Sequence, residues 1–403
     1  MKILVVSQHY YPENFRITDI CEELVKRGHQ VDVITGLPNY HSGIVPKEYK
    51  NKKNWEQVKN GVRIHRCYEY GRGHSKLKLF LNYYSVCLSM KRKAKKIKEQ
   101  YDVVFINQLS PVMVAWAGIA YAKKHKVPSV LYCLDLWPES LKVAMNNKEN
   151  FIFKYYKKVS SKIYSNVDLI ATTSKPFEQY LKPLIKGEKE IVYLPQYGDN
   201  EYIVNPVSSI DNGVVDFLFA GNMGRGQVLD VVVNAVNELK DLDGFKVHLV
   251  GDGSKFDSIK RMVEDLALTD KVVLHGRKSA EEVREYYELA DALLITLIGD
   301  NFVGNTLPGK MQTYLSTGKP IFGAINGAGY EVIKEANCGD CVYSGDYVGL
   351  SNLMRDFILN KEKYAKCGEN GREYFLKNFT EEQFFKGLEE LFLESVEKRK
   401  GNS

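Results

Sequence analysis

The apolar positions of the first half of the chain fall into short β-rich runs separated by helical patterns. KILVVS is followed by a helical pattern from Phe15 to Arg27, then QVDVIT, GVRIH, YDVVFIN, a helix near 112–125, VPSVLYC, VDLIATT and EIVYLP. Runs that are apolar throughout, rather than alternating, belong to strands covered on both faces of a parallel sheet. Their serial alternation with helices predicts a doubly wound α/β domain over residues 1–200.

Between Pro195 and Gly213 the pattern dissolves into QYGDNEYIVNPVSSIDNG, rich in turn-forming residues, which predicts a link between domains. The rhythm restarts with VDFLFAGN, a helix from about Val228, FKVHLVGDG, a helix through Lys260, KVVLHG, a helix from Ala280, ADALLIT, a further helix and GKPIFGA. A second domain of the same architecture is expected over 201–378. Residues 379–403 form a charged amphipathic helix, opened by Thr380 with Glu381 and Glu382 in its first turn, that is expected to pack back on the first domain. The expected fold class is therefore α/β, with two Rossmann-like doubly wound parallel-sheet domains facing a cleft.

Length supports the division, since 403 residues exceed what one core usually holds. An apolar fraction of 44% and a charged fraction of 26% exclude disordered and fibrous classes. Seven scattered cysteines do not make a disulfide framework and fit a reducing compartment. Only Cys338 and Cys341 have metal-ligand spacing, with no second pair to complete a zinc site. Asp241 and Asp243 spell a DxD, but beside Gly244 they read as ordinary turn residues, so no metal and no other cofactor is expected. The uncharged stretch Val103 to Ala122 is interrupted by Asn107, Gln108, Ser110 and Pro111, which favours strand, turn and buried helix over a membrane span.

The net charge of +6 is modest, and much of it is local: KRKAKKIK, Lys91 to Lys98, directly follows LKLFLNYYSVCLSM. Residues 76–98 thus read as an interfacial helix for an anionic membrane, or alternatively as a solvated helix face. No nucleic-acid partner is expected.

The segment FAGNMGRGQ, residues 219–227, sits between a strand and a helix, where glycines and free amides suit phosphate; a turn serving geometry alone is the alternative. Its spacing is not that of a dinucleotide fingerprint. In GNTLPGKMQTYLSTGKP, residues 304–320, Pro308 suits a first helical turn and Lys310 lies just inside it. Lys310 and Arg225 are the candidate cations for a diphosphate leaving group, which needs charge stabilisation in the transition state. In the first domain, His9, Glu13, Asn14 and Asp135 lie at carboxyl ends of strands, where ligands bind in open α/β sheets. Asp135 reads as a contact to sugar or acceptor, or else as a helix cap ahead of Pro138.

QHYYPEN, LVKRGHQVDVITGLPNY, LDLWPES, AGNMG, LVGDG, ADALLIT and LPGKMQTYLSTGKPI occur in an order that resembles family 4 of the glycosyltransferases, retaining GT-B enzymes, over essentially the whole chain. The chain looks most like bacterial enzymes of O-antigen, capsule and colanic-acid assembly, some of which transfer N-acetylfucosamine or fucose. The resemblance implies a cytoplasmic hexosyltransferase, peripheral at the inner face of the membrane. It would move a sugar from a UDP-linked donor to a lipid-linked saccharide or polysaccharide with retention. It further implies catalytic roles for Asp135, Lys310 and Arg225, and acceptor contacts from His9, Glu13 and Asn14. Donor contacts would come from Asn222, Gly224, Gly251, Asp252, Arg277, Asn305, Thr306, Leu307 and Thr313. Two departures stand out: the acidic EX7E positions fall on Asn305 and Thr313, and the arginine after the first strand of the second domain is Asn222. A sugar-nucleotide epimerase and a non-catalytic nucleotide-sugar-binding scaffold are the rival expectations.

Overall fold

In the computed structural model the described residues are 1–40, 42–73, 75–144, 150–299 and 302–401. They form two compact units, one of Met1–Leu194 with Phe385–Ser403, the other of Pro195–Phe384.

The first unit is built on β1 (Lys2–Ser7), β2 (Gln30–Thr35), β3 (Glu56–Lys59), β4 (Val62–Arg66), β5 (Val103–Gln108), β6 (Ser129–Cys133), β7 (Leu169–Thr172) and β8 (Ile191–Tyr193). Their order in the sheet is β3-β4-β2-β1-β5-β6-β7-β8, and all pairs except β3 with β4 are parallel. Every residue of β5 and β6 is buried, as helices on both faces require. The uncharged stretch supplies β5, a turn at Val112–Val114 and the helix Ala115–His125. No helix among the described residues is long and apolar enough to cross a membrane.

The second unit carries β9 (Val215–Ala220), β10 (Phe245–Val250), β11 (Val272–Gly276), β12 (Ala292–Thr296), β13 (Ile321–Ala324) and β14 (Gly339–Val342), all parallel, in the order β11-β10-β9-β12-β13-β14. The order reverses between β9 and β12, and crevices at such reversals are where open α/β sheets bind ligands. Residues 195–213, expected to be a link, belong to this unit. Tyr197 and Tyr202 are buried, and Arg372 donates to the carbonyls of Tyr202 and Ile203 at 3.1 and 2.8 Å. Two aromatic anchors inside a polar stretch are enough to dock it without any periodic pattern.

The helix Glu381–Gly401 begins at the Thr380 cap, and from Phe385 onward it belongs to the first unit. Phe385, Leu388 and Phe392 are fully buried there, with Phe392 edge-on to Phe105 at 5.4 Å. Glu389 meets His29 at 2.9 Å. Removing a buried aromatic leaves a cavity, so Phe392→Ala should lower unfolding free energy by about 3–5 kcal/mol in a urea titration. A loss below about 1 kcal/mol would show that the helix is not part of this core.

Candidate functional site

The centre of the second unit is a backbone cradle. After β9, Gly221 N–H donates to Val250 C=O at 2.9 Å, and Met223 N–H donates to Asp252 C=O at 2.9 Å. In return, Lys255 N–H donates to Met223 C=O at 2.9 Å, while Gly251 N–H donates to Gly276 C=O at 2.8 Å. The turns that follow β9, β10 and β11 are thereby laced into one body. Gly251 has φ +138°, and a Cβ there would lie 1.9 Å from the Gly221 carbonyl oxygen. Its glycine is dictated by contact between two backbones.

The segment after Met223 does not enter a helix directly. Arg225–Gln227 form a single 3-10 turn, Val228 is left-handed at φ +42°, and the helix runs Asp230–Asn237. Ile298 N–H donates to Gly226 C=O at 2.8 Å and the Thr296 hydroxyl donates to Gln227 C=O, so this loop is tied to the end of β12 across the strand reversal.

Lys310 opens the helix Lys310–Thr317. Its ammonium donates to the Gln227 side-chain carbonyl and stands 3.8 Å from the centroid of the Phe219 ring. It would lie 3.2 Å from a Cβ on Gly221. No carboxylate among the described residues pairs with it, and burial pushes its pKa down to about 7. A turn further along the helix, the Tyr314 hydroxyl accepts from Ala220 N–H at 2.8 Å, fixing the helix to the end of β9. A partly desolvated cation with no acid partner among the described residues leaves charge that an anion could satisfy.

Beside it a cavity of about 350 Å³ is lined by Ala220, Gly221, Asn222, Val250, Gly251, Asp252, Arg277, Lys278, Val283 and Tyr287. Four of the expected donor residues, Asn222, Gly251, Asp252 and Arg277, therefore share one wall system. Asn305, half-buried Thr306 and buried Leu307 lead into the Lys310 helix, and Gly327 at φ +58° packs so closely that a Cβ would meet Asn305 Oδ1 at 2.7 Å. Half-buried Thr313 lies one turn past Lys310. Arg225 is exposed, and neither it nor Gly224 lines the cavity. Phe219, Gln227, Lys278 and Tyr314 were not singled out by the sequence. Nothing in their spacing marks them, because each matters only through a neighbour brought up by another strand.

The Asp241–Asp243 turn is exposed at Asp243, where Lys271 approaches to 3.5 Å, and Cys338 and Cys341 are buried free thiols. The described residues contain no group of three or more His, Cys, Asp or Glu side chains able to hold a metal.

In the first unit, the Asp135 carboxylate accepts from the Ser110 hydroxyl, which is 2.9 Å from that of Ser140. Burial pushes the Asp135 pKa up against these bonds and that from Leu136 N–H. His9 stacks on Phe15 at 4.9 Å, and its Nδ1 is 3.5 Å from Glu13 Oε2. Glu13 in turn accepts from Tyr40 N–H, while Asn14 is exposed. Behind this loop lies buried Glu69, which accepts from Gln8 Nε2 and Asn82 Nδ2, both at 2.8 Å, and whose pKa is raised by burial. A Cβ on Gly36 would sit 1.8 Å from Glu69 Oε2, which explains the glycine after β2.

Two doubly wound parallel-sheet units, the second with a glycine cradle at its strand reversal, are the architecture of the GT-B fold. Residues 15–195 match the model of Glycosyltransferase Family 4, and residues 205–374 match that of Glycosyl transferases group 1. The chain is a glycosyltransferase of this type, with a family 4 domain followed by a group 1 domain. It is 21% identical over 385 residues, 93% of this chain and 92% of the relative, to the N-acetyl-alpha-D-glucosaminyl L-malate synthase of Bacillus anthracis. It is 24% identical over 215 residues, 49% of this chain and 56% of the relative, to the lipopolysaccharide 1,6-galactosyltransferase of Escherichia coli. Among solved structures, Anabaena HepE in complex with UDP superposes with a TM-score of 0.71 at 13% identity, covering 98% of this chain and 100% of that one.

The depressed Lys310 gives a test that needs no substrate. An unfolded lysine titrates near ~10.4, so between about pH 7 and about pH 10 the unfolded chain binds one more proton and stability rises with pH. Below about pH 7 the penalty for the buried charge is present in full. Lys310→Met should therefore be more stable than the parent at pH 6, with the difference shrinking towards pH 10 in urea unfolding. An equal difference at both pH values would mean that Lys310 is not desolvated.

Proposed function

We propose that this protein transfers a sugar from a nucleoside diphosphate donor, UDP-linked by preference, to a lipid-linked saccharide or polysaccharide acceptor in surface-polysaccharide biosynthesis, with retention and without a metal. The observation that supports the reading is Lys310, a half-buried lysine beside the glycine cradle, whose ammonium is desolvated and has no carboxylate partner among the described residues. A leaving diphosphate gains charge as the glycosidic bond breaks, and a positioned cation stabilises that charge without reorganising at the moment of reaction. The donor's base and ribose occupy the cavity at Asn222, Asp252 and Arg277, its diphosphate lies toward Lys310, and Asn305 and Thr313 border the sugar. Arg225, exposed on the same loop as Asn222, is the second cation offered to the diphosphate. In the first domain Asp135, His9, Glu13 and Asn14 orient the acceptor. A donor phosphate oxygen takes the acceptor proton, so no protein nucleophile is assigned. UDP bound in Anabaena HepE and the lipopolysaccharide acceptor of the E. coli relative's name both support this choice of donor and acceptor class.

A lipid-linked acceptor calls for a membrane-facing surface, and exposed apolar and basic side chains of the first unit support one. The helix Lys76–Lys96 buries Tyr83, Val86, Cys87, Met90 and Ala94, while Leu77, Phe80, Leu81 and Leu88 are exposed. Next to it the helix Phe151–Tyr164 exposes Phe151, Ile152 and Tyr155, with Tyr156 and Tyr84 hydroxyls 3.3 Å apart. Lys91, Lys95, Lys123 and Lys162 share a groove of about 570 Å³ with Trp116, and none of the four makes an ion pair among the described residues. Lys93, by contrast, is spent on Glu56. The membrane surface is thus a face of two helices rather than the whole basic run.

A thermal-shift panel of nucleoside diphosphates and nucleotide sugars, with and without Mg²⁺, should give a metal-independent rise in Tm with uridine nucleotides. Lys310→Ala should abolish that rise and slow turnover by about 100-fold or more while leaving the protein folded. No shift with any nucleotide would remove the transferase reading of the cavity. Each lysine near an anionic leaflet contributes about 1 kcal/mol, so exchanging the four groove lysines for Gln should weaken binding to phosphatidylserine-containing vesicles at least tenfold. Unchanged vesicle binding would rule out this surface.

A further inference from the structure

A chain of polar side chains crosses the second sheet and ends at the nucleotide cavity. Asp216 on β9 is fully buried, and its Oδ1 meets His248 Nε2 on β10 at 2.8 Å, while Oδ2 accepts from Asn212 Nδ2 at 2.8 Å. His248 Nδ1 lies 2.9 Å from His275 Nε2 on β11, the rings being stacked at 5.2 Å. His275 Nδ1 is 3.2 Å from the Tyr286 hydroxyl, and beside Tyr286 stands Lys278, which lines the cavity and donates to Glu282 Oε1 at 3.2 Å.

With both imidazoles neutral, every proton in this chain is assigned by one terminus. A carboxylate only accepts, so His248 Nε2 carries a proton and its Nδ1 accepts. His275 must then donate from Nε2 and accept at Nδ1, which makes the Tyr286 hydroxyl a donor and leaves its oxygen lone pairs facing the Lys278 ammonium. The bonds run head to tail from the Tyr286 hydroxyl to the Asp216 carboxylate, the arrangement in which each polarises the next. A β-bulge serves this arrangement: pairing steps from Leu249↔Leu274 to Val250↔Gly276, so His275 is the extra residue of its strand. Burial, with the neighbouring His248 and Lys278, pushes the His275 pKa down to about 4, which keeps that ring neutral.

We propose that the chain Asp216–His248–His275–Tyr286 is a positioning device for Lys278 and for the cavity wall that takes the nucleoside diphosphate, so that Tyr286 sets donor affinity without touching the donor. This rests on the nucleotide reading of the cavity. The chain also anchors the helix Ala280–Leu289 at Tyr286, and that helix brings Val283 and Tyr287 to the same wall.

Tyr286→Phe removes one hydroxyl and keeps the ring. At pH 8 the dissociation constant for UDP, measured by titration calorimetry, should rise about tenfold, and the loss should fall on KM for the donor more than on kcat. Lys278→Met should do the same, and the double variant should be no worse than either single one. In ¹⁵N spectra of the free protein, both histidines should show the Nε2–H tautomer, with His275 Nδ1 shifting in Tyr286→Phe. UDP binding by the parent that Tyr286→Phe leaves unchanged, or losses that add in the double variant, would overturn this inference alone. Failure of the parent to bind UDP would overturn the uridine reading and this inference with it.

Discussion

The contact between Gly221 and Gly251 is the constraint on which the second unit's site depends. A single carbon on Gly251 would lie 1.9 Å from a carbonyl oxygen, so the turns after β9 and β10 can meet only as bare backbone. That contact lets Gly221 and Met223 bond across to β10's turn, and it puts the floor of the cavity beneath Lys310. Tyr314 then fixes the Lys310 helix to the last residue of β9. A side chain at Gly251 would part the turns and move the floor away from the cation, and one at Gly221 would crowd the Lys310 ammonium, 3.2 Å from its Cβ. The geometry at the strand reversal is therefore a consequence of two missing side chains more than of any added one.

The sequence reveals the strands and the order of the two α/β domains because burial on both faces leaves uninterrupted apolar runs such as VVFINQ and ALLIT. It also points to Lys310, through Pro308 and a following helical pattern. It does not reveal why Lys310 matters, because its desolvation comes from Phe219 on another strand and its hydrogen bond from Gln227, 83 positions away. Arg225 looked equivalent to Lys310 by charge and glycine context, yet it is exposed on a 3-10 turn and outside the cavity wall. Local pattern identifies residues that can bear charge; only the packing says which of them has lost its water.

Histidines show the same limit. His9 follows a strand and so attracts attention as a ligand group, whereas His248 and His275 sit inside strand patterns and read as core positions. Buried polar groups are tolerated only when bonded, and these two are bonded along a line from Asp216 to Tyr286. Since Asp216 itself precedes the glycine turn on β9, the strand that carries the cradle also carries the anchor of the opposite wall. Cradle and wall are thus registered to each other by one strand rather than by two independent loops.

On the proposed reading, a lysine that burial has stripped of hydration is better suited to the transfer than a fully hydrated one. Desolvation brings its pKa to about 7, so near that pH the free protein has a large neutral fraction. On that reading, a ground-state diphosphate ester restores part of the charge, and the negative charge that develops on the leaving oxygen before it takes the acceptor proton restores it further. The interaction therefore grows as the bond breaks, which is the condition for raising the rate rather than merely tightening the donor. The neighbouring Phe219 ring holds the ammonium in place in the meantime without neutralising it, since a ring face attracts a cation yet offers no proton acceptor that would compete with the incoming phosphate.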